Sequence, residues 1–206
     1  MTANIKRIAL VFVVGAMAVS LWIIPCLAQD AQQYYQQGLA AYQDGKWELA
    51  VQHWKAAASL DPKSAKTHKA LGLAYHWLGA GDKNKQREAE NCQLAIEEFK
   101  KAVSLDPQYA KAYSNMGGAY ECLGDRDKAI QSYEKAISLD PKLSNTYYYL
   151  ALLYKQRNEI AKARQLVKQG DALPAEPKED TDEGWYIVFL EYLRWKSLGP
   201  TLEELR

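Results

Sequence analysis

The tripeptide Leu-Asp-Pro occurs three times, at Leu60-Asp61-Pro62, Leu105-Asp106-Pro107 and Leu139-Asp140-Pro141. The last two prolines stand 34 residues apart and the first two 45, which is eleven more. A period of this length means one supersecondary unit reused along the chain, each copy burying its apolar face on its neighbours. Every Leu-Asp-Pro closes an Ala-x3-aromatic-x2-Ala pattern: Ala50/Trp54/Ala57, Ala95/Phe99/Ala102 and Ala129/Tyr133/Ala136. Steps of four and three keep the three side chains on one helical face. The two alanines let a neighbouring helix come close, and the aromatic fills the gap between them. A second set lies upstream: Tyr34/Gly38, Leu71/Gly72/Tyr75 and Tyr113/Gly117/Tyr120. Its glycine admits a paired helix at some cost in helix propensity. A fourth unit opens at Ser144 with Tyr147, Leu150, Ala151, Tyr154 and Ala163, then decays to Val167, Gly170 and Ala175.

This register resembles the tetratricopeptide repeat (TPR) family, whose pattern runs aromatic, Leu-Gly, Tyr, Ala, aromatic, Pro. The resemblance implies an all-α fold: antiparallel helix pairs stacked into a right-handed superhelical solenoid with a concave groove. Its units fall at about 31–64, 65–109, 110–143 and 144–170. Ala41 and Gln37 depart from the Tyr and Leu of the first unit, and His68 from the aromatic of the second. The eleven extra residues lie inside the second unit, because Gly72 and Ala95 are 23 apart where Gly38/Ala50 and Gly117/Ala129 are 12 apart. Eleven residues is close to three helical turns, so an insert of this length preserves the apolar face. Gly79–Asn84 reads as loop and Lys85–Asn91 as extra turns on the second helix. The plainer role for this 80–90 insertion is a solvated extension; the other is a docking knob.

Both ends differ from the repeats. Lys6 and Arg7 are the only charges before Asp30, and an apolar run over 8–24 leads to Pro25-Cys26-Leu27-Ala28. A basic start, an apolar stretch and a small-residue exit make residues 1–28 a secretory signal with cleavage after Ala28. Cleavage after Ala16-Met17-Ala18 is disfavoured because it leaves Leu-Trp-Ile-Ile on the product, and Pro25 argues against lipid attachment at Cys26. The alternative is an uncleaved anchor: seventeen apolar residues make roughly 25 Å of helix, just under a bilayer core. Either way the remainder is exported, to the periplasm or cell envelope or anchored in the inner membrane facing outward. At the other end, residues 171–183 hold six acids, one Lys and two Pro and read as a solvated linker. Within 184–206, Trp185, Phe189 and Tyr192 share a helical face. That segment reads as a helix capping the last unit, or as one that binds a membrane or partner.

Little in the chain suggests chemistry. The 26 basic and 25 acidic residues give +1, and loss of Lys6 and Arg7 with the signal leaves −1. Neither value offers the basic face that nucleic acid requires. His53, His68 and His76 are the only imidazoles. His53 and His68 fall where neighbouring helices bring them face to face, yet no further ligands complete a metal site. Nucleophile, zinc-protease and phosphate-loop motifs are absent, and the acids fall at exposed helical positions. The expectation is a non-enzyme with no cofactor and no metal; the alternative is an unrecognised thiol- or histidine-dependent enzyme. After export two cysteines remain, Cys92 and Cys122, equally distant from the turn at Pro107 and open to a disulfide or to packing as free thiols.

The resemblance places a binding groove on the first helix of each unit. Carried onto this sequence, its lining is Tyr35, Leu39, Tyr42, Lys66, Lys69, Leu73, His76, Trp77, Lys111, Asn115, Glu121, Tyr148, Leu152 and Lys155. About a third of these are expected to be core instead. Aromatic and aliphatic surface interleaved with Lys suits a protein or peptide partner bearing apolar anchors and acids. Of the Lys/Asn/Asn/Lys/Arg carboxylate clamp found in chaperone-tail-binding members, Lys69 and Asn115 match, while Leu73, Asn145 and Tyr149 do not. The expected function is an exported scaffold joining proteins in the envelope; the alternative is an inner-membrane-anchored assembly factor. Membrane contact is expected only if residues 8–24 are retained. The chain's own acidic linker and terminal aromatic segment are a further candidate occupant of the groove.

Overall fold

A computed structural model describes residues 29–80 and 83–174. The signal or anchor, part of the insertion loop, most of the acidic linker and the terminal aromatic segment lie outside the described residues. Eight helices make up the described chain: α1 (29–43), α2 (Trp47–Leu60), α3 (Ala65–Ala80), α4 (Lys85–Leu105), α5 (Ala110–Cys122), α6 (Arg126–Leu139), α7 (Ser144–Gln156) and α8 (Ile160–Asp171). No strand occurs among the described residues, and no helix there is long and apolar enough to cross a membrane.

The Leu-Asp-Pro signature is the turn between one pair and the next. Proline disfavours helical backbone at the residue before it, so the helix stops at the aspartate. The backbone N–H of Asp61, Asp106 and Asp140 still donates to the alanine carbonyl four residues back, at Ala57, Ala102 and Ala136. Each aspartate carboxylate then accepts from the N–H two residues on, Lys63, Gln108 or Lys142, at 3.0–3.2 Å. This Asx turn sets the exit direction identically three times. Within three of the pairs the connection passes through left-handed backbone, at Gly45, Gly124 and Asn158, residue types that tolerate it.

Packing inside each pair rests on a glycine under an aromatic ring. A Cβ on Gly38 would sit 2.5 Å from the Trp54 ring, on Gly72 2.7 Å from Phe99, and on Gly117 2.6 Å from Tyr133. Trp54, Phe99 and Tyr133 are all buried, with flanking Ala50, Ala57, Ala95, Ala102, Ala129 and Ala136 at or near zero exposure. In the fourth pair the contact is reversed. Tyr148 on α7 lies against Gly170 on α8, and its hydroxyl donates to Asp171 at 3.0 Å. The apparent decay of that unit is thus an exchange of partners between the two helices.

His68 also replaces its aromatic without loss. In the fourth unit the equivalent Tyr147 hydroxyl donates to the Pro141 carbonyl at 3.1 Å; in the second, His68 Nε2 stands 3.1 Å from the Pro62 carbonyl. Its Nδ1 lies 2.7 Å from Glu98 Oε2, and Glu98 Oε1 accepts from Lys101 at 2.7 Å. That hydrogen bond to Glu98 raises the Lys101 ammonium above its ordinary value. Two sequence expectations are corrected here. His53 and His68 do not face one another, since His53 lies beside Tyr34, and Glu98 is a buried acid rather than an exposed one. A polar residue four positions into a repeat helix reaches back to the preceding proline turn, and Glu98 is drawn inward as its partner.

The insertion divides between two helices. Gly79 and Ala80, expected in a loop, form the end of α3, which is 16 residues long against 13 for α5 and α7. α4 starts at Lys85, where the Asn84 side chain accepts from the Gln86 and Arg87 N–H groups, and runs 21 residues against 14 for α2 and α6. Cys92 on this longer helix is joined to Cys122 on α5, with Cα atoms 6.3 Å apart. A Cβ on Gly79 would come within 2.9 Å of the Cys92 sulfur, so the lengthened end of α3 is notched to admit it. By the helix rise, the bridge lies about 20 Å from the α4–α5 turn, and it ties unit two to unit three at the end the turn leaves free.

The first helices of units two and three pack on one another, α3 on α5, whereas no comparable contact joins α2 to α4 or α4 to α6. In these units the first helices are therefore on the tighter, inner side of the stack. Gly72→Ala should lower stability by about 1–3 kcal/mol, the usual cost of overpacking, read as a lower Tm with far-UV helicity retained. Replacing Cys92 and Cys122 together by Ser should remove about 3.6 kcal/mol, the loop-closure contribution for a separation of 30, read by urea denaturation of the oxidised wild type and the variant.

Candidate partner-binding surface

The fourteen residues expected to line a groove lie on α1, α3, α5 and α7. Seven of them are buried: Tyr35, Leu39, Tyr42, Lys69, Leu73, His76 and Leu152. The other seven, Lys66, Trp77, Lys111, Asn115, Glu121, Tyr148 and Lys155, are half-buried. Half of the set is therefore enclosed, where about a third was expected. Two of the rest are engaged inside their own pairs: Tyr148 packs on Gly170, and the Glu121 carboxylate accepts a short hydrogen bond from Tyr133.

The densest part of this face is where units one and two meet. Tyr42 stands edge-on to Trp47 at 4.9 Å and tilted on Trp54 at 5.4 Å. Trp47 stacks with Trp77 at 6.2 Å, and His76 lies edge-on to Trp77 at 5.6 Å. Offset and edge-to-face pairs at such distances add to ordinary burial, so the cluster is a rigid aromatic floor. Trp47, at the start of α2, is absent from the lining expected from sequence. A tryptophan two residues past the αL turn at Gly45 was the available signal, because that turn aims the start of α2 toward the next unit. The Trp54 Nε1 donates to the Tyr35 carbonyl at 3.0 Å, which fixes the ring beneath this floor.

Lysines sit beside the aromatics. Lys66 Nζ lies 4.7 Å from the Tyr35 ring centre and Lys69 Nζ 5.5 Å from that of Tyr109, both within cation–π range. Lys69 is only 1% exposed, and long ammonium side chains are seldom buried so completely. All ten residues from Thr67 to His76 are buried, which covers every side of that part of α3. The Trp77 Nε1 is buried and makes no hydrogen bond among the described residues. Away from this face, a cavity of about 230 Å³ between α5 and α6 is lined by Tyr113, Met116, Tyr120, Lys128 and Lys135 among others. No cluster of three or more metal-ligating side chains occurs among the described residues.

Comparison with known proteins agrees with this geometry. Sequence profiles described as tetratricopeptide repeat match residues 110–143 and 132–165, and one described as TPR repeat matches 38–79 and 87–124. No curated protein sequence matches the chain. Among solved structures, a crystal structure of MamA is 27% identical, with a TM-score of 0.60 over 68% of this chain and 76% of that one. TTC0263, a thermophilic TPR protein of Thermus thermophilus, is 22% identical, with a TM-score of 0.65 over 82% and 81% of the two chains. The first TPR of Spaghetti (RPAP3), bound to the HSP90 peptide SRMEEVD, is 22% identical, with a TM-score of 0.56 over 64% and 98%. Taken together, the profile matches spread over more than half of the chain, on helices that pack as the repeat requires, and the protein belongs to the tetratricopeptide-repeat family.

Proposed function

We propose that the chain is an exported, non-enzymatic scaffold that holds a protein or peptide partner on its inner face, in the periplasm or cell envelope. The observation that carries this reading is the half-buried Trp47–Trp77 stack, seated on buried Tyr42 and His76, together with half-buried Lys66 and Lys111. Rigid aromatics supply large contact area at small entropic cost, and bordering ammonium groups favour an acidic segment. The RPAP3 neighbour, solved with an acidic HSP90 peptide, supports a peptide as the class of partner, although the carboxylate-clamp positions here are only partly matched. Export is supported by the signal-like residues 1–28 and by the Cys92–Cys122 bridge, which persists in an oxidising compartment. Retention of residues 8–24 as an inner-membrane anchor is the second reading. It gives the same inner face to an envelope assembly factor.

Cross-linked capture from envelope fractions, comparing wild type with a Trp77→Ala, Lys111→Glu variant, tests the surface. Loss of one central aromatic anchor costs about 2 kcal/mol or more in such interfaces, so specific capture should fall about thirtyfold or further, compared at a temperature where circular dichroism shows both proteins folded because loss of the stacked ring also lowers Tm. Identical capture by both proteins would remove the inner face from consideration. Intact mass of the native protein should show Gln29 as the first residue; a mass that includes residues 1–28 establishes the anchored form instead.

A further inference from the structure

Away from the inner face, the second helices do not close on one another. α4 and α6 both pack on α5 yet make no comparable contact with each other, so a cleft lies between them with α5 as its floor. The next cleft along, between α6 and α8, shows how the chain fills such a space. On its floor, Tyr154 donates its hydroxyl to Glu134 Oε1 of α6 at 2.6 Å. From the other wall, Lys162 Nζ of α8 lies 3.7 Å from that same oxygen and 3.7 Å from the Tyr154 ring centre. One carboxylate thus joins a phenol on the floor to an ammonium on the far wall.

The repeat brings the same three positions to the α4–α6 cleft, with one change of charge. Tyr120 stands for Tyr154, each three residues after the small residue of its helix, Gly117 or Ala151. Lys128 stands for Lys162, each one residue before the repeat alanine, Ala129 or Ala163. Lys100, however, stands for Glu134, each five residues after its alanine, Ala95 or Ala129. A side chain at this position reaches the tyrosine of the next unit, since Lys55, its equivalent in the first unit, has its Nζ 5.4 Å from the Tyr75 ring centre. The carboxylate is gone, and both groups that would receive it remain. Among the described residues the Tyr120 hydroxyl makes no hydrogen bond, and exposed Lys100 makes no ion pair. Lys128 Nζ stays 5.6 Å from the Tyr120 ring centre and turns back to the cap of its own helix, Asp125 Oδ2, at 2.6 Å. Exposed pairs of this kind contribute little, so they give way readily to a better acceptor. The cavity of about 230 Å³ lies at this place, bordered by Tyr120 and Lys128, with Tyr113, Met116 and Lys135 farther along it.

We propose that the α4–α6 cleft is a second binding site, which takes a glutamate side chain of a protein partner in the place that Glu134 fills within the next cleft. The carboxylate accepts from the Tyr120 hydroxyl and pairs with Lys128 and Lys100, while its methylene stem lies along Met116 and Tyr113. Three lysines against Asp125 leave the rim positive, which suits an anion, and charge-assisted hydrogen bonds are the strong ones. The site does not depend on the inner face.

The test uses the full chain, with the blocked pentapeptide Ac-Ala-Ala-Glu-Ala-Ala-NH2 as probe and its Gln counterpart as the neutral control. Saturable shifts of the Met116 methyl and Tyr120 ring resonances are expected, with the Gln peptide binding at least about tenfold more weakly, as befits loss of hydrogen bonds to a charged group. Lys100→Glu supplies an internal carboxylate and should abolish the response, with Tm equal to or above that of wild type. An absent response, equal responses to the two peptides, or an undiminished response in Lys100→Glu overturns the proposal. Butyrate, the isolated side chain, is the second probe: tighter binding of butyrate than of the Glu peptide assigns the cleft to small organic acids and overturns a protein partner. The shifts should persist in Trp77→Ala, Lys111→Glu; their loss there assigns the peptide to the inner face and overturns the second site alone.

Discussion

The contact on which the rest depends is the bare glycine beneath an aromatic ring in the first three helix pairs. With no side chain at Gly38, Gly72 or Gly117, the first helix of a pair approaches until its backbone rests on Trp54, Phe99 or Tyr133. The alanines on either side of each ring are buried for the same reason, since any larger residue would hold the helices apart. One contact therefore sets the helix separation, and the repeated Asx turn at Asp61, Asp106 and Asp140 sets the angle at which the next pair begins. Separation and angle, applied repeatedly, produce the stack and put first helices on its inner side. The inner face is a consequence of these two local rules.

This explains why so much of the fold was legible. Gly, Ala and Leu-Asp-Pro each answer to a local constraint, backbone approach or turn geometry, and such constraints leave a mark at a fixed spacing. What the pattern did not reveal is decided by exchange between helices. Tyr148 and Gly170 reverse the usual contact, and along a linear sequence the reversal looks like decay. His68 looks like a defect because its role lies in two partners, the nearby Pro62 carbonyl and Glu98, which is thirty residues away in sequence. Trp47 joins the floor through a stack with Trp77 in the next unit, a pairing that no single-unit pattern encodes.

The insertion and the disulfide belong together. Lengthening α3 at Ala80 and α4 at Lys85 carries the pair beyond the height of its neighbours, where fewer helices are present to pack on it. The Cys92–Cys122 bridge lies near the base of that extension, seated against Gly79, and joins it to the next unit. Without the bridge, the α4–α5 contact is constrained at one end only, by the turn at Asp106. A covalent link at the opposite end resists the opening of that angle.

An inner face built this way carries a physical liability. Trp47 and Trp77 stay half-buried on its aromatic floor, and apolar surface left open invites self-association. Half-buried Lys66 lies across the Tyr35 ring and adds part of its own length to that apolar surface. Trp47 and Trp77 thus offer contact area while the buried glycine–aromatic contacts beneath fix how it is presented, so exposed surface and fold are set by different residues.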